Sequence, residues 1–285
     1  SGLWDRASTP EQWREQGDYF FDREHFAAAA ECYRNAGQQD RMEISEAFAC
    51  RSRGEPERAA ELFARHGYDR EAAEGFEKAR RFAEAAEHWR RAGEERKARI
   101  CELRLYESGR RYEEAASGWE ELGELQEAAR NWEKARNHAK LADYLYAQKK
   151  YAQAAERYQE AGNLVRAAEC YGRVKLYNKA ADLYLKAGAW SEAAPLYKKL
   201  KNRERLLECY EKLGDHYAAA LLHEKNRDWE KCVAAFRRFA ERSPENRERL
   251  LQQTQSYRRG ALKAAVRYSA LSLYEKSAPL FQAGK

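Results

Sequence analysis

YAQAAERYQEAGN (151–163), LVRAAECYGRVKL (164–176) and YNKAADLYLKAGA (177–189) stand end to end, and their shared register decides the fold. Each holds apolar residues at positions one, four, five, eight and eleven, the stripe of an amphipathic helix. In the third block Tyr177, Ala180, Ala181, Tyr184 and Ala187 share one face, while Asn178, Lys179, Asp182 and Lys186 lie off it. The frame runs without insertion from Tyr112 to Glu241, ten blocks of thirteen residues. A fixed period of this kind predicts a stacked array of helices and not a globule.

Position eight carries the bulk, as Trp119, Trp132, Tyr158, Tyr171, Tyr184, Tyr197, Tyr210 and Phe236. Positions four and five are mostly an alanine pair, small enough for a neighbouring helix to approach and receive that ring. Glycine at position twelve, as at Gly162 and Gly188, suits a left-handed helix end. Asn163, Asn202, Asp215 and Asp228 at position thirteen suit the next N-cap. The helices are then about ten or eleven residues long, roughly 16 Å. Helices that short need their neighbours to persist in water.

The frame continues upstream. Trp13–His25, Phe26–Gln38, Glu55–Gly67 and Phe82–Glu94 are thirteen residues each; Gln39–Gly54, Tyr68–Arg81 and Glu95–Arg111 are sixteen, fourteen and seventeen. One continuous array of seventeen helices is therefore expected over 13–241. Residues 242–285 read as capping helices: Ser243-Pro244-Glu245 opens one over Asn246–Arg259, and another runs from Ala261 to about Ser277. Residues 1–12 read as a lead-in, with Ser1-Gly2 the remnant of an expression tag. The only methionine is Met42, so a piece of a longer protein is expected.

Charged residues at 35% against 44% hydrophobic match a thin core with a wet face on every helix. No apolar run approaches the roughly 18–20 residues of a membrane span, and no signal peptide opens the chain. None of the six cysteines forms a CxxC pair, and Cys32, Cys170 and Cys209 sit at position seven beside the large ring. They read as buried free thiols, which implies a reducing cytoplasm. No P-loop, dinucleotide fingerprint, GxSxG or HExxH is present. His216 and His223 occupy core positions one and eight, and no third ligand accompanies them. Neither catalysis, nor a cofactor, nor a metal is implied.

The net charge of +6 is unevenly placed. Lys149, Lys150, Arg173, Lys175, Lys198, Lys199 and Lys201 recur at block ends, with Arg203 and Arg205 close behind. Arg258 and Arg259, with Arg247, Arg249, Lys263 and Arg267, follow in the terminal stretch. Equivalent block ends lie along one edge of a solenoid. These residues are the candidate contacts for a partner, or for phosphate.

Trp13, Gly17 and Phe20, then Phe26, Ala29, Tyr33 and Ala36, have the spacing of the tetratricopeptide repeat, and the chain resembles that family over about 13–241. Leu141, Leu145, Tyr151, Ala154, Tyr158 and Ala161 resemble the same helix pair. The resemblance implies a right-handed superhelical solenoid, all-α, here of about 19 short antiparallel helices. A pair is 26 residues in this chain against about 34 in the family, so the usual peptide-groove positions do not carry over. WREQGDYFFDREHFAAAAECYRNAG (13–37) and ISEAFACRSRG (44–54) also resemble repeats that follow superfamily I helicase-like modules in large tetratricopeptide-and-ankyrin-repeat proteins. The expected function is a non-catalytic scaffold for a protein or peptide partner, or for other domains of a parent chain; the alternative is a nucleic-acid-engaging accessory to a helicase. The pair pattern starts at Trp13 and again at His138, nine blocks later, an odd number that puts the two pairs out of phase.

Overall fold

The computed structural model describes residues 9–255, 261–272 and 274–283, and every regular element among them is an α-helix. The chain, expected to be one array, divides into two compact units, Ser1–Asn137 and His138–Lys285. The first holds α1 (Pro10–Asp22), α2 (Phe26–Asn35), α3 (Gln39–Arg53), α4 (Pro56–Arg65) and α5 (Asp69–Lys78). It continues with α6 (Phe82–Arg91), α7 (Glu95–Ser108), α8 (Tyr112–Glu121) and α9 (Leu125–Lys134). The second begins with α10 (His138–Ala147), α11 (Tyr151–Glu160), α12 (Leu164–Arg173) and α13 (Tyr177–Lys186). Then come α14 (Trp190–Lys199), α15 (Arg203–Leu213), α16 (His216–Lys225) and α17 (Trp229–Glu241). It ends with α18 (Pro244–Gln255), α19 (Ala261–Ala270) and α20 (Tyr274–Ala283). These are the short antiparallel hairpins of a tetratricopeptide-like repeat, consecutive helices packing on one another within each unit.

The thirteen-residue period follows from the turn. After α13, Gly188 (φ 73°) is left-handed, its N–H reaches Leu185 O at 3.0 Å, and Ala189 N–H reaches Tyr184 O at 2.9 Å. Ala189 O then accepts the first bond of α14, from Ala193 N–H at 3.0 Å. One residue therefore closes a helix and opens the next, and Asn163, Asn202, Asp215 and Asp228 add side-chain caps at that point. The insertions at 39–54 and 95–111 lengthen α3 and α7 and form no loop. The first helix starts at Pro10, ahead of Trp13, because Thr9 and Gln12 form a reciprocal capping box. The expected helix over 261–277 is instead α19 and α20, with left-handed Ser272 between them, so the described helices number twenty.

Inside, the alanine pairs are sealed, as at Ala154, Ala155, Ala167 and Ala168 (all 0% exposed), and the rings of Tyr158 and Tyr171 pack with them. Tyr184 and Tyr210 depart from this and are half-buried. A second device recurs with the rings. Tyr33 donates to Asp18 at 2.7 Å, Tyr158 to Asp143 at 2.5 Å and Tyr197 to Asp182 at 2.7 Å, each across fifteen residues. Arg41 and Arg166 also donate to the first two of these aspartates. Gly17 makes room for the first latch, since a Cβ there would lie 2.6 Å from the Tyr33 ring.

The phase conflict between Trp13 and His138 has a local origin. In the first unit α2, α4, α6 and α8 end on left-handed glycines, as does the lengthened α3; in the second, α11, α13 and α15 do. The alternation slips by one helix at Asn137/His138, where the units divide. At the C-terminus Phe236, Leu250, Val266 and Leu271 form one core, joining α17 to α18 and α19.

Candidate functional site

Four helices of the second unit, α10, α12, α14 and α16, run parallel to one another because their partners run back between them. Their C-terminal turns therefore fall on one edge. Each carries a cation in the left-handed position: Lys149 (φ 59°), Lys175 (φ 63°), Lys201 (φ 58°) and Arg227 (φ 60°). The hydrogen bonding matches the glycine turns, with Lys175 N–H on Gly172 O at 3.1 Å and Leu176 N–H on Tyr171 O at 2.9 Å. A side chain in this conformation costs roughly 1 kcal/mol that glycine avoids. A cation at a helix C-terminus recovers part of that. The helices ending on the other edge gain from the same dipole and nevertheless use Gly162, Gly188 and Gly214.

Most sequence candidates belong to this edge. Lys149, Lys150, Lys175, Lys198 and Lys201 are exposed, and none makes an ion pair among the described residues. Arg173 lies 5.4 Å from the Tyr146 ring centre and 5.3 Å from that of Tyr151. Lys199 sits 3.7 Å over the Tyr177 ring and lowers that phenol's pKa, chiefly through a hydrogen bond. Arg258 and Arg259 lie outside the described residues. Arg205 is paired with Glu208 at 2.8 Å. Arg267 is no surface contact at all: it is 1% exposed and sits 2.7 Å from Glu224. Sequence reasoning missed Lys225 and Arg227, which complete the row.

At Lys198 and Lys201 the edge opens into a cleft of about 410 Å³ between α14, α15 and α16. Leu206, Leu221, Leu222 and Tyr210 line its floor; Lys198, Lys201, Arg203 and Lys225 stand around it, and no carboxylate lines it. The Tyr197 side chain is 2% exposed and its hydroxyl is held by Asp182. Arg203 donates to Asn226 Oδ1 at 3.1 Å, clipping the start of α15 to the end of α16. Block 203–215 explains the opening. It has Arg203 where sister blocks carry tyrosine, tryptophan, leucine or histidine, and Leu206-Leu207 in place of the alanine pair. Helices α15 and α16 pack more sparsely than the other consecutive pairs from α10 to α17, in keeping with bulkier residues at positions four and five. That substitution pattern was the available signal for the cleft.

Two clefts in the first unit contrast with it. One of about 960 Å³ between α3 and α4 is lined by Glu43, Glu46, Glu55, Glu57 and Glu61. Those carboxylates are already partnered: Glu43 hydrogen-bonds with His66, Arg34 and Arg53 pair with Glu46 and Glu55, and Arg81 pairs with the last two. The other, about 530 Å³, is an apolar groove at Phe20 and Phe26. Cysteine chemistry is quiescent: all six thiols are free and buried, and burial pushes Cys101 up to about 11 and Cys232 up to about 12. Among the described residues no group of three or more His, Cys, Asp or Glu is placed to hold a metal, and no helix is long and apolar enough to cross a membrane.

Comparison with known proteins gives one family. The model described as SNAP, soluble NSF attachment protein, matches residues 70–255, which include the cleft and nearly all of the cationic edge. Curated protein sequences give no match. Among solved structures, the crystal structure of a Rap protein complexed with competence and sporulation factor is 16% identical, over 96% of this chain and 73% of that one. Its TM-score of 0.16 is too low to support an argument.

Proposed function

The chain belongs to the soluble NSF attachment protein family, and from that premise we propose that it is a non-catalytic helical scaffold that attaches a protein partner. The partner's acidic, amphipathic segment seats in the α14–α16 cleft. One observation carries this reading: an apolar floor ringed by four cations with no carboxylate among them. An apolar face gains affinity by burial on Leu206, Leu221 and Leu222, while the cations select acidic flanks and speed encounter. The family's name records attachment to a protein, in keeping with such a role. Stacked short helices supply a rigid mount for the site. Free, buried thiols support a reading in which the protein works in a reducing compartment, the cytoplasm.

Of the two rings lining the cleft Tyr197 is buried and Tyr210 half-buried, and the rest of the floor is leucine, so the floor favours a peptide. The helicase-accessory alternative rests on 13–54, outside the residues that match the family.

The test is fluorescence anisotropy with a labelled helical peptide bearing leucines on one face and glutamates on the other. Lys198→Glu with Lys225→Glu should weaken binding at least about tenfold, equivalent to about 1.4 kcal/mol. A scrambled peptide of equal charge should bind far less. Equal binding of both peptides, or indifference to the charge reversals, sinks the reading.

A further inference from the structure

The row of turn cations extends well beyond the cleft, and its outlying members have no role in seating a peptide there. Lys149, Lys175, Lys201 and Arg227 recur every 26 residues, each in a left-handed turn, with Lys150, Lys198 and Lys225 beside them. Among the described residues none of these seven makes an ion pair. Three arginines elsewhere in the unit are, by contrast, neutralised: Arg157 by Glu160, Arg166 by Asp143 and Arg205 by Glu208. The one carboxylate in these turns, Asp228, accepts from Lys231 N–H and lies 3.2 Å from Lys231 Nζ. Along this edge the charge is regular and unneutralised.

We infer that this edge is a rail for the phosphodiester backbone of nucleic acid, bound without regard to sequence. Three features select that ligand. The row is mostly lysine, a compact hydrated charge without the planar fork that reads a base edge. The nearby rings are covered, Tyr146 and Tyr151 by Arg173 and Tyr177 by Lys199, so base stacking is not on offer. Finally, contacts made only of exposed charges add little to a protein complex. A polyphosphate releases condensed counterions at each phosphate neutralised, so charge alone suffices to bind it.

The rail does not depend on the cleft reading, because Lys149, Lys150, Lys175 and Arg227 lie outside the cleft. The experiment is anisotropy of a labelled oligonucleotide of mixed sequence, single-stranded and duplex, across a salt series. Four to seven contacts on a single strand should give a log–log slope of about −3 to −5, at about −0.7 per contact. Affinity then falls about a hundred- to a thousandfold from about 50 to about 200 mM salt. Lys149→Gly, Lys175→Gly and Arg227→Gly together keep the turn geometry. They should flatten the slope by about 2 and leave the cleft peptide's affinity unchanged. No binding at low salt overturns the inference, as does a slope the triple variant does not change. Polyglutamate binding as tightly as the oligonucleotide also overturns it, and would assign the edge to an acidic protein.

Discussion

Arg267 and Glu224 offer the sharpest test of how the C-terminal helices support the site. Glu224 lies on α16, the helix whose Ala218, Leu221, Leu222 and Lys225 line the cleft. Position nine of the frame is normally wet, but α19 covers this one. Arg267 Nη1 sits 2.7 Å from Glu224 Oε2 and donates to Lys263 O at 3.0 Å, with its guanidinium 4.6 Å from the Phe236 ring centre. The two side chains are 1% and 8% exposed, so neither charge is well served by water. Glu224→Gln leaves a buried guanidinium without an anion and should cost about 3–5 kcal/mol. Arg267→Met should cost nearer 3, because half-exposed Lys263, 3.1 Å from Oε1, still faces the carboxylate. Glu224→Leu combined with Arg267→Met replaces the pair with apolar groups and should fall within about 1 kcal/mol of the parent. Urea unfolding, with hydrogen exchange on α16 and α19 to localise the loss, measures all three. Single costs below about 1 kcal/mol would refute the reasoning, since the buried charges would then not be coupled.

Three further outcomes are expected. Tyr197→Ala should cost about 3–5 kcal/mol, whereas Tyr197→Phe, losing only the bond to exposed Asp182, should cost about 1; equal costs in urea would mean the latch and not the ring holds the hairpin. Lys175→Gly should raise stability by about 0.5–1 kcal/mol by relieving the left-handed side chain, and a lowered melting temperature would show that no strain is present. Burial is the main cause that lowers the pKa of His216 and His223 from the ordinary imidazole value. Their folded forms then bind fewer protons than the unfolded chain. The stability they contribute is present above about pH 6.5 and is lost as pH falls through the lowered folded values. His223→Leu should flatten the stability loss between about pH 7 and 5, and an unchanged slope would remove His223 from the account.

The fold was legible because one register carries both core and turn. Ala180, Ala181 and Tyr197 were readable as interior from spacing alone, and the N-caps at Asn163 and Asp215 from their place in the block. Position twelve was readable only where it is glycine; at Lys175 and Lys201 the same left-handed turn hides behind a side chain that rarely adopts it. Burial of Glu224 and Arg267 depends on α19 returning across α16, a tertiary fact that no period encodes. The half-burial of Tyr184 has the same character: its ring sits where two core clusters meet. The site was half visible. Lys198 and Lys201 stood out as charge, but the cleft needed the joint reading of Arg203 and Leu206-Leu207 as departures from the frame.

Photo-crosslinking tests the central claim, attachment of an acidic amphipathic segment in the cleft, most directly. A benzophenone side chain placed at Leu221, on the floor, is compared with one at Val165, exposed on α12 away from it. Irradiation with the acidic peptide should yield an adduct at position 221, abolished by excess unlabelled peptide, and little at 165. Equal capture at both positions, or capture at 165 alone, would contradict the account.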